Sequence, residues 1–214
     1  MTFKEKIMLR QTEYNAHKKR MCNDYTFMSR NAAKEGQVVF FGDSITEFLS
    51  VGDWYGEYSV RSGKEVYNRG IGGDTTNRLF ERARDNVTCI KPAAVVILIG
   101  TNDIGFGFEG DFVSSNIEKT LMLIKEECPG CKIILQAIYP VINGRAGRRS
   151  NRVILEANKK LEALSEKYGV TYLDFTGILA DGQGNLKEEY TYDGLHLSAA
   201  GYEVTTKEIA KHLP

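Results

Sequence analysis

Five short apolar stretches rich in β-branched residues recur along the chain, at residues 37–41, 65–68, 94–99, 132–138 and 170–175. Most are continuous and do not alternate with polar positions. In a strand successive side chains point to opposite faces, so a continuous apolar run needs cover on both sides. That condition is met by a parallel sheet between two layers of helix. Helical patterns do separate the runs, at residues 75–87, 112–127, 150–168 and 199–212. In the third, Val153, Ile154, Ala157, Leu161 and Leu164 recur every three or four positions, and Glu156, Lys159, Lys160, Glu162 and Lys167 take the other face. Tyr168-Gly169 then stops it. The alternation predicts an α/β fold, a three-layer α/β/α sandwich on a parallel sheet of about five strands.

A chain of 214 residues is expected to form one domain over 1–214. Residues 1–36 precede the first strand and read as a helical extension packed on that domain. Tyr14, Met21, Tyr25, Met28 and Ala32 lie there at helical spacing, an apolar stripe read as core in preference to a partner-binding face. The 28 basic residues balance the 28 acidic ones, which argues against nucleic acid as a partner. No run reaches the roughly 18 apolar residues needed to cross a bilayer, 93–99 being the nearest, so no membrane span is expected. The first ten residues mix both charges and lack the hydrophobic region of a secretory signal, which points to a cytoplasmic location. Cys22, Cys89, Cys128 and Cys131 are too dispersed for a disulfide framework. Cys128-Pro129-Gly130-Cys131 has the spacing of a redox or zinc pair but no second pair to join it. It reads as a helix stop before a strand, and no metal or cofactor is expected.

In open parallel sheets the crevice lies beyond the carboxyl ends of the strands, so the residues that follow each apolar run are where chemistry belongs. Those segments are Gly42-Asp43-Ser44, then Asn68-Arg69-Gly70-Ile71-Gly72-Gly73-Asp74, then Gly100-Thr101-Asn102-Asp103. A serine hydroxyl is a weak nucleophile and needs a base that is itself oriented by a carboxylate. Three histidines are available. His17 sits in the charged segment Ala16-His17-Lys18-Lys19-Arg20, and His212 lies near the end of the chain; both read as solvent-facing. His196 lies three residues after Asp193 in a loop before the last helix, so one turn could supply base and carboxylate together. Acyl transfer also needs donors for the developing oxyanion. The Ser44 N–H, the Gly73 N–H and the Asn102 side-chain amide fit that role. A rival reading of residues 70–76 as a phosphate loop lacks the Gly-x-x-x-x-Gly-Lys spacing, and Asp74 and Thr75 read better as the start and cap of the next helix.

Four segments in order, Gly42-Asp43-Ser44-Ile45, the glycines ending at Gly73, Gly100-Thr101-Asn102-Asp103 and Asp193-Gly194-Leu195-His196, resemble the SGNH, or GDSL-type, hydrolases. The resemblance runs from Val38 to about Tyr202. It implies the flavodoxin-like fold of that family, with Ser44 as nucleophile, His196 as base, Asp193 as its carboxylate, and Ser44, Gly73 and Asn102 as the oxyanion hole. Ile45 stands where many members have Leu. The serine is not set in the Gly-x-Ser-x-Gly elbow of α/β-hydrolases. The activity implied is hydrolysis of a small-molecule or carbohydrate ester through an acyl-enzyme, with a short acyl group such as O-acetyl on a sugar. A lysophospholipase or thioesterase with the same triad, and an inactive glycan-binding relative, are the alternatives. Phe106 and Phe108 could line a substrate pocket or tuck onto the core. Arg145, Arg148, Arg149 and Arg152 could hold an anionic group or form a solvated helix start.

Overall fold

Each apolar stretch becomes a strand: β1 (Val38–Gly42), β2 (Val66–Gly70), β3 (Ala94–Leu98), β4 (Lys132–Gln136) and β5 (Thr171–Leu173). The computed structural model describes residues 3–214, with side chains from Thr12 onward. The first two residues of the expected N-terminal extension lie outside that range. All strands are parallel, in the order β2-β1-β3-β4-β5, with Val38 in register with Val66 on one side and Ala94 on the other.

Alternate side chains of the same strands feed two cores, which is why the runs are continuous in sequence. Val39, Phe41, Val95, Ile97, Ile133 and Leu135 pack against α4 (Thr76–Asn86), α6 (Gly110–Glu127) and α7 (Asn151–Tyr168). Val38, Phe40, Ala94, Val96 and Ile134 pack against α3 (Val51–Ser62), α8 (Thr176–Leu179) and α9 (Ala199–Lys211). Two sealed faces give the three-layer sandwich. Short helices α2 (Ser44–Glu47) and α5 (Thr101–Gly105) follow β1 and β3 directly. From β1 the chain crosses to β2 on one side, then returns to β3 on the other, so the switch point lies between β1 and β3. The loops at their carboxyl ends therefore diverge and leave a crevice.

Three local features differ from the sequence reading. The N-terminal helix α1 (Phe3–Asn31) packs on α4, but among its described side chains those buried are Lys18, Tyr25 and Ser29, while Met28, and Ala32 just after it, are exposed. The reason lies in its polar partners: the Tyr25 hydroxyl donates to the Gly70 carbonyl, and Ser29 Oγ accepts from Arg69 Nε. Neither Asp74 nor Thr75 caps α4 with its side chain. The Asp103 carboxylate, arriving from α5, accepts from the Thr76 N–H and hydroxyl, while Asp74 is drawn into a buried pair with Arg82 Nε at 2.7 Å. The helix α3 has no counterpart in the sequence patterns, since only Tyr55 and Tyr58 of its residues are buried.

The Cys128–Cys131 segment is a turn between α6 and β4, closed by the Cys131 N–H on the Cys128 carbonyl at 2.9 Å. Burial pushes the Cys131 thiol up to about 12, away from the thiolate that metal binding or redox chemistry uses. Among the described residues no helix is long and apolar enough to cross a membrane.

Candidate active site

Asp43 follows β1 and caps α2, its Oδ1 accepting from the Ile45 N–H at 3.0 Å. This fixes Ser44 as the first residue of α2, at the mouth of the crevice. The Tyr202 hydroxyl of α9 holds the same turn through the Ile45 carbonyl at 2.6 Å. Ser44 Oγ lies 2.9 Å from His196 Nε2, and His196 Nδ1 lies 2.6 Å from Asp193 Oδ2. The second Asp193 oxygen accepts from the N–H groups of Leu195 and His196 at 2.9 and 2.8 Å. One loop turn thus orients both the His196 ring and the Asp193 carboxylate. Partial burial pushes the Asp193 carboxyl upward, but the His196 ring and these two amides overcome it and bring it down to about 2. Asp193 is therefore ionised across the neutral range, with its charge facing Nδ1. The Phe48 ring packs on the His196 ring at a centroid distance of 5.1 Å.

The glycine turn and Asn102 come from the other two strand ends. Of the glycine amides, Gly70 donates to Asn68 Oδ1 at 2.8 Å and Gly72 to Glu47 Oε2. Among the described residues the Gly73 N–H has no such acceptor, nor does the Ser44 N–H, so both are free to serve a ligand. Gly73 has φ +65, a left-handed conformation that glycine adopts without strain, and a Cβ there would run into the Tyr14 hydroxyl. Gly100, at φ +122, lets β3 turn into α5 past Ile138 and Val113. Asn102 Nδ2 donates to the Asp74 carbonyl at 3.0 Å and reaches Asp43 Oδ2 only at 3.4 Å, a long contact. Its Oδ1 accepts from Arg149 Nη2 at 2.7 Å. A cation on the oxygen and a carbonyl on the nitrogen together fix the amide orientation.

Ser44, Asn102, Gly72, Gly73 and His196 line a cleft of about 430 Å³, together with Tyr14, His17, Glu47, Phe48, Arg149 and Leu195. A second hollow of about 580 Å³ shares Phe48 and His196 and continues past Trp54, Tyr192 and Asp53.

Several residues of this site had no clear sequence signal. His17, expected at the solvent face, turns into the cleft, with Nε2 3.0 Å from Glu47 Oε1. Asn68 ties the two turns together, donating to the Thr46 and Leu49 carbonyls while receiving the Gly70 amide. The arginine cluster divides: Arg145 pairs with Glu188, Arg152 with Glu156, and Arg149 alone enters the cleft, where it also donates to the Thr101 carbonyl at 3.0 Å. Phe108 stacks on Phe112 at 4.1 Å, on the side of α6. His212, expected to face solvent, is half-buried at the end of α9, with Nε2 3.5 Å from Glu208 Oε1. Beneath the cleft Asp43, Asp74 and Asp103 are all buried. Burial raises all three carboxyls, Asp43 to about 7.

Residues 40–204 match the GDSL-like lipase/acylhydrolase family. The chain is 27% identical over 184 residues to subunit alpha1 of platelet-activating factor acetylhydrolase IB from Bos taurus, covering 83% of this chain and 75% of that one. It is 32% identical over 174 residues to N-acylneuraminate cytidylyltransferase of Escherichia coli, covering 79% of this chain but only 41% of that protein. A solved structure from Streptococcus pneumonia, assigned as a platelet activating factor, superposes with a TM-score of 0.90 at 28% identity and covers both chains completely. The parallel sheet, the crevice at its switch point and the match over most of the length agree: the chain belongs to the GDSL-like lipase/acylhydrolase family and is a carboxylic ester hydrolase.

Proposed function

We propose that the chain hydrolyses short-chain acyl esters, acetyl esters of a carbohydrate foremost, through an acyl-enzyme formed on Ser44. The observation that carries this reading is the unbroken relay from Ser44 Oγ through His196 to the Asp193 carboxylate. His196 takes the Ser44 proton as Oγ attacks the ester carbonyl. The oxyanion is held by the N–H groups of Ser44 and Gly73 and by the Asn102 amide. His196 then gives the proton to the departing alcohol. Water, deprotonated by the same histidine, releases the acid and restores Ser44. Asp193 keeps Nδ1 protonated and stabilises the imidazolium in each half. No step calls on a cofactor or metal.

A short acyl group suits a cleft walled by Tyr14, His17 and Glu47 close behind the glycine turn. The alcohol, which takes its proton from His196, leaves toward the open hollow where Phe48, Trp54 and Tyr192 offer aromatic surface for a sugar ring. The relative that handles an N-acylneuraminate lends support to a carbohydrate. A second reading, acetyl hydrolysis on platelet-activating factor itself, is favoured by the name of the mammalian relative. Rates on acetylated monosaccharides, on platelet-activating factor, and on p-nitrophenyl acetate, octanoate and palmitate separate these. The carbohydrate reading requires the acetylated sugars to lead and the palmitate ester to be poor. Preference for platelet-activating factor selects the second reading, and preference for palmitate rejects both.

A further inference from the structure

The N-terminal helix lies before the segment that matches the family, yet it enters the cleft. Tyr14, His17 and Lys18 stand at i, i+3 and i+4 of α1, on one face. All three converge on the glycine turn and its support. Lys18 Nζ donates to the Gly73 carbonyl at 2.6 Å. The same ammonium lies 4.6 Å from the centre of the Tyr14 ring, and the Tyr14 hydroxyl sits against Gly73, on the side where a Cβ would be. His17 meets Glu47, whose other oxygen holds the Gly72 amide.

Lys18 is 6% exposed, and no carboxylate lies within ion-pair distance of it among the described residues. The ammonium is held by a neutral carbonyl and an aromatic face, with Asp74 and Asp43 favouring its charge from further off, and desolvation is its largest cost. The Tyr14 hydroxyl has no hydrogen-bond partner among the described residues, though it lines the cleft with Ser44 and Asn102. Burial, then the nearby Asp74, Asp43 and Glu47 carboxylates, keep it a protonated donor.

We propose that α1 is a working part of the oxyanion site: Tyr14 offers its hydroxyl to the ester as a substrate-contacting donor, and Lys18 positions the Gly73 turn and adds positive charge beside it. This rests on the reading of Ser44 as nucleophile. Gly73 N–H is only as well aimed as the turn that carries it, and Lys18 is the side chain that pins that turn from outside the sheet. The charge also opposes the three buried aspartates beneath, whose field disfavours an oxyanion.

The test uses the full chain and a fluorophosphonate probe, whose phosphoryl oxygen occupies the oxyanion site once Ser44 is labelled. Tyr14→Phe keeps the ring under Lys18 and removes only the hydroxyl. It is expected to slow labelling and to lower kcat on p-nitrophenyl acetate about tenfold, with KM and Tm little changed. Lys18→Met is expected to lower kcat more than Tyr14→Phe, with partial rescue by Lys18→Arg. If Lys18→Met fails to fold, Tyr14→Phe still decides. Labelling of the wild type that Tyr14→Phe leaves unchanged, with unchanged kcat, overturns this inference alone. No labelling of Ser44 in the wild type removes the serine mechanism and this inference with it.

Discussion

The two sides of the Ser44 hydroxyl are built in opposite ways. On the proposed base side, Asp193 and His196 come from one exposed turn, with side chains 53% and 27% exposed, and the loop's own amides set the geometry. On the proposed oxyanion side, Asn102 and the glycine turn are held largely by residues distant in sequence, among them Arg149, Glu47 and Lys18. Buried Asp43, Asp74 and Asp103 lie underneath. A local turn can be set by three hydrogen bonds. A cradle for transient charge needs rigid donors that do not reorganise, and that rigidity is supplied by burial and by cross-links between strand ends.

The largest effect should come from breaking the base side. Ser44→Ala or His196→Ala should each lower kcat by roughly 10⁴-fold or more, since members of such a relay act as a unit. Ser44→Ala should leave Tm unchanged, because it removes one hydroxyl at a cleft. Combining the two should cost little more than either alone; an additive loss would break the relay reading.

The oxyanion side should fail more gradually. Asn102→Ala should cost about 10²–10³-fold in kcat with KM little affected. Arg149→Met, which frees the amide to rotate without removing it, should cost about tenfold. Equal losses from the two would mean that Arg149 contacts substrate directly, which a specific rise in KM would reveal.

The buried carboxylate beneath that side predicts a pH effect on stability. Burial raises Asp43 to about 7, so the folded chain keeps a proton there that the unfolded chain has lost. The stability that proton confers is complete below the ordinary carboxylate pKa and is lost as pH rises toward 7. Asp43→Asn retains the acceptor for the Ile45 amide and carries no charge. Its Tm relative to wild type should therefore increase by a few degrees from about pH 5 to about pH 8. A flat difference would mean that Asp43 is not strained by its charge. The smallest effect is expected from His17→Ala, within about threefold in kcat, because Glu47 keeps its bond to the Gly72 amide. A loss comparable to that of His196→Ala would reassign the base.

The same contrast explains what the sequence disclosed. The sheet was legible because double burial leaves an unmistakable trace in continuous runs such as Ala94-Val95-Val96-Ile97-Leu98. The base side was legible because its partners are three residues apart. The glycine turn and Asn102 stood out because they follow strands, and the fold brings them to one crevice. Their supports did not stand out. Arg149 was one of four neighbouring arginines, and nothing local distinguishes the one that swings toward Asn102. Asn68 reads as the end of a strand until β2 is placed beside α2. Asp103 caps a helix 27 positions away along the chain, so the local signal favoured Asp74 and Thr75 instead. Lys18 and His17 looked like a solvated basic segment, because their burial depends on the docking of α1. The helix α3 escaped notice for a different reason: Gly52 and Gly56 interrupt it, and too few of its positions are buried to give a period.

The most direct test of the central claim is rapid mixing of the full chain with p-nitrophenyl acetate, followed in time by p-nitrophenol release and by mass spectrometry of the quenched protein. A burst of one equivalent with a single acetyl group on Ser44 is expected, and neither in Ser44→Ala. Sustained hydrolysis by Ser44→Ala at the wild-type rate, or an acetyl adduct on another residue that turns over, would contradict it.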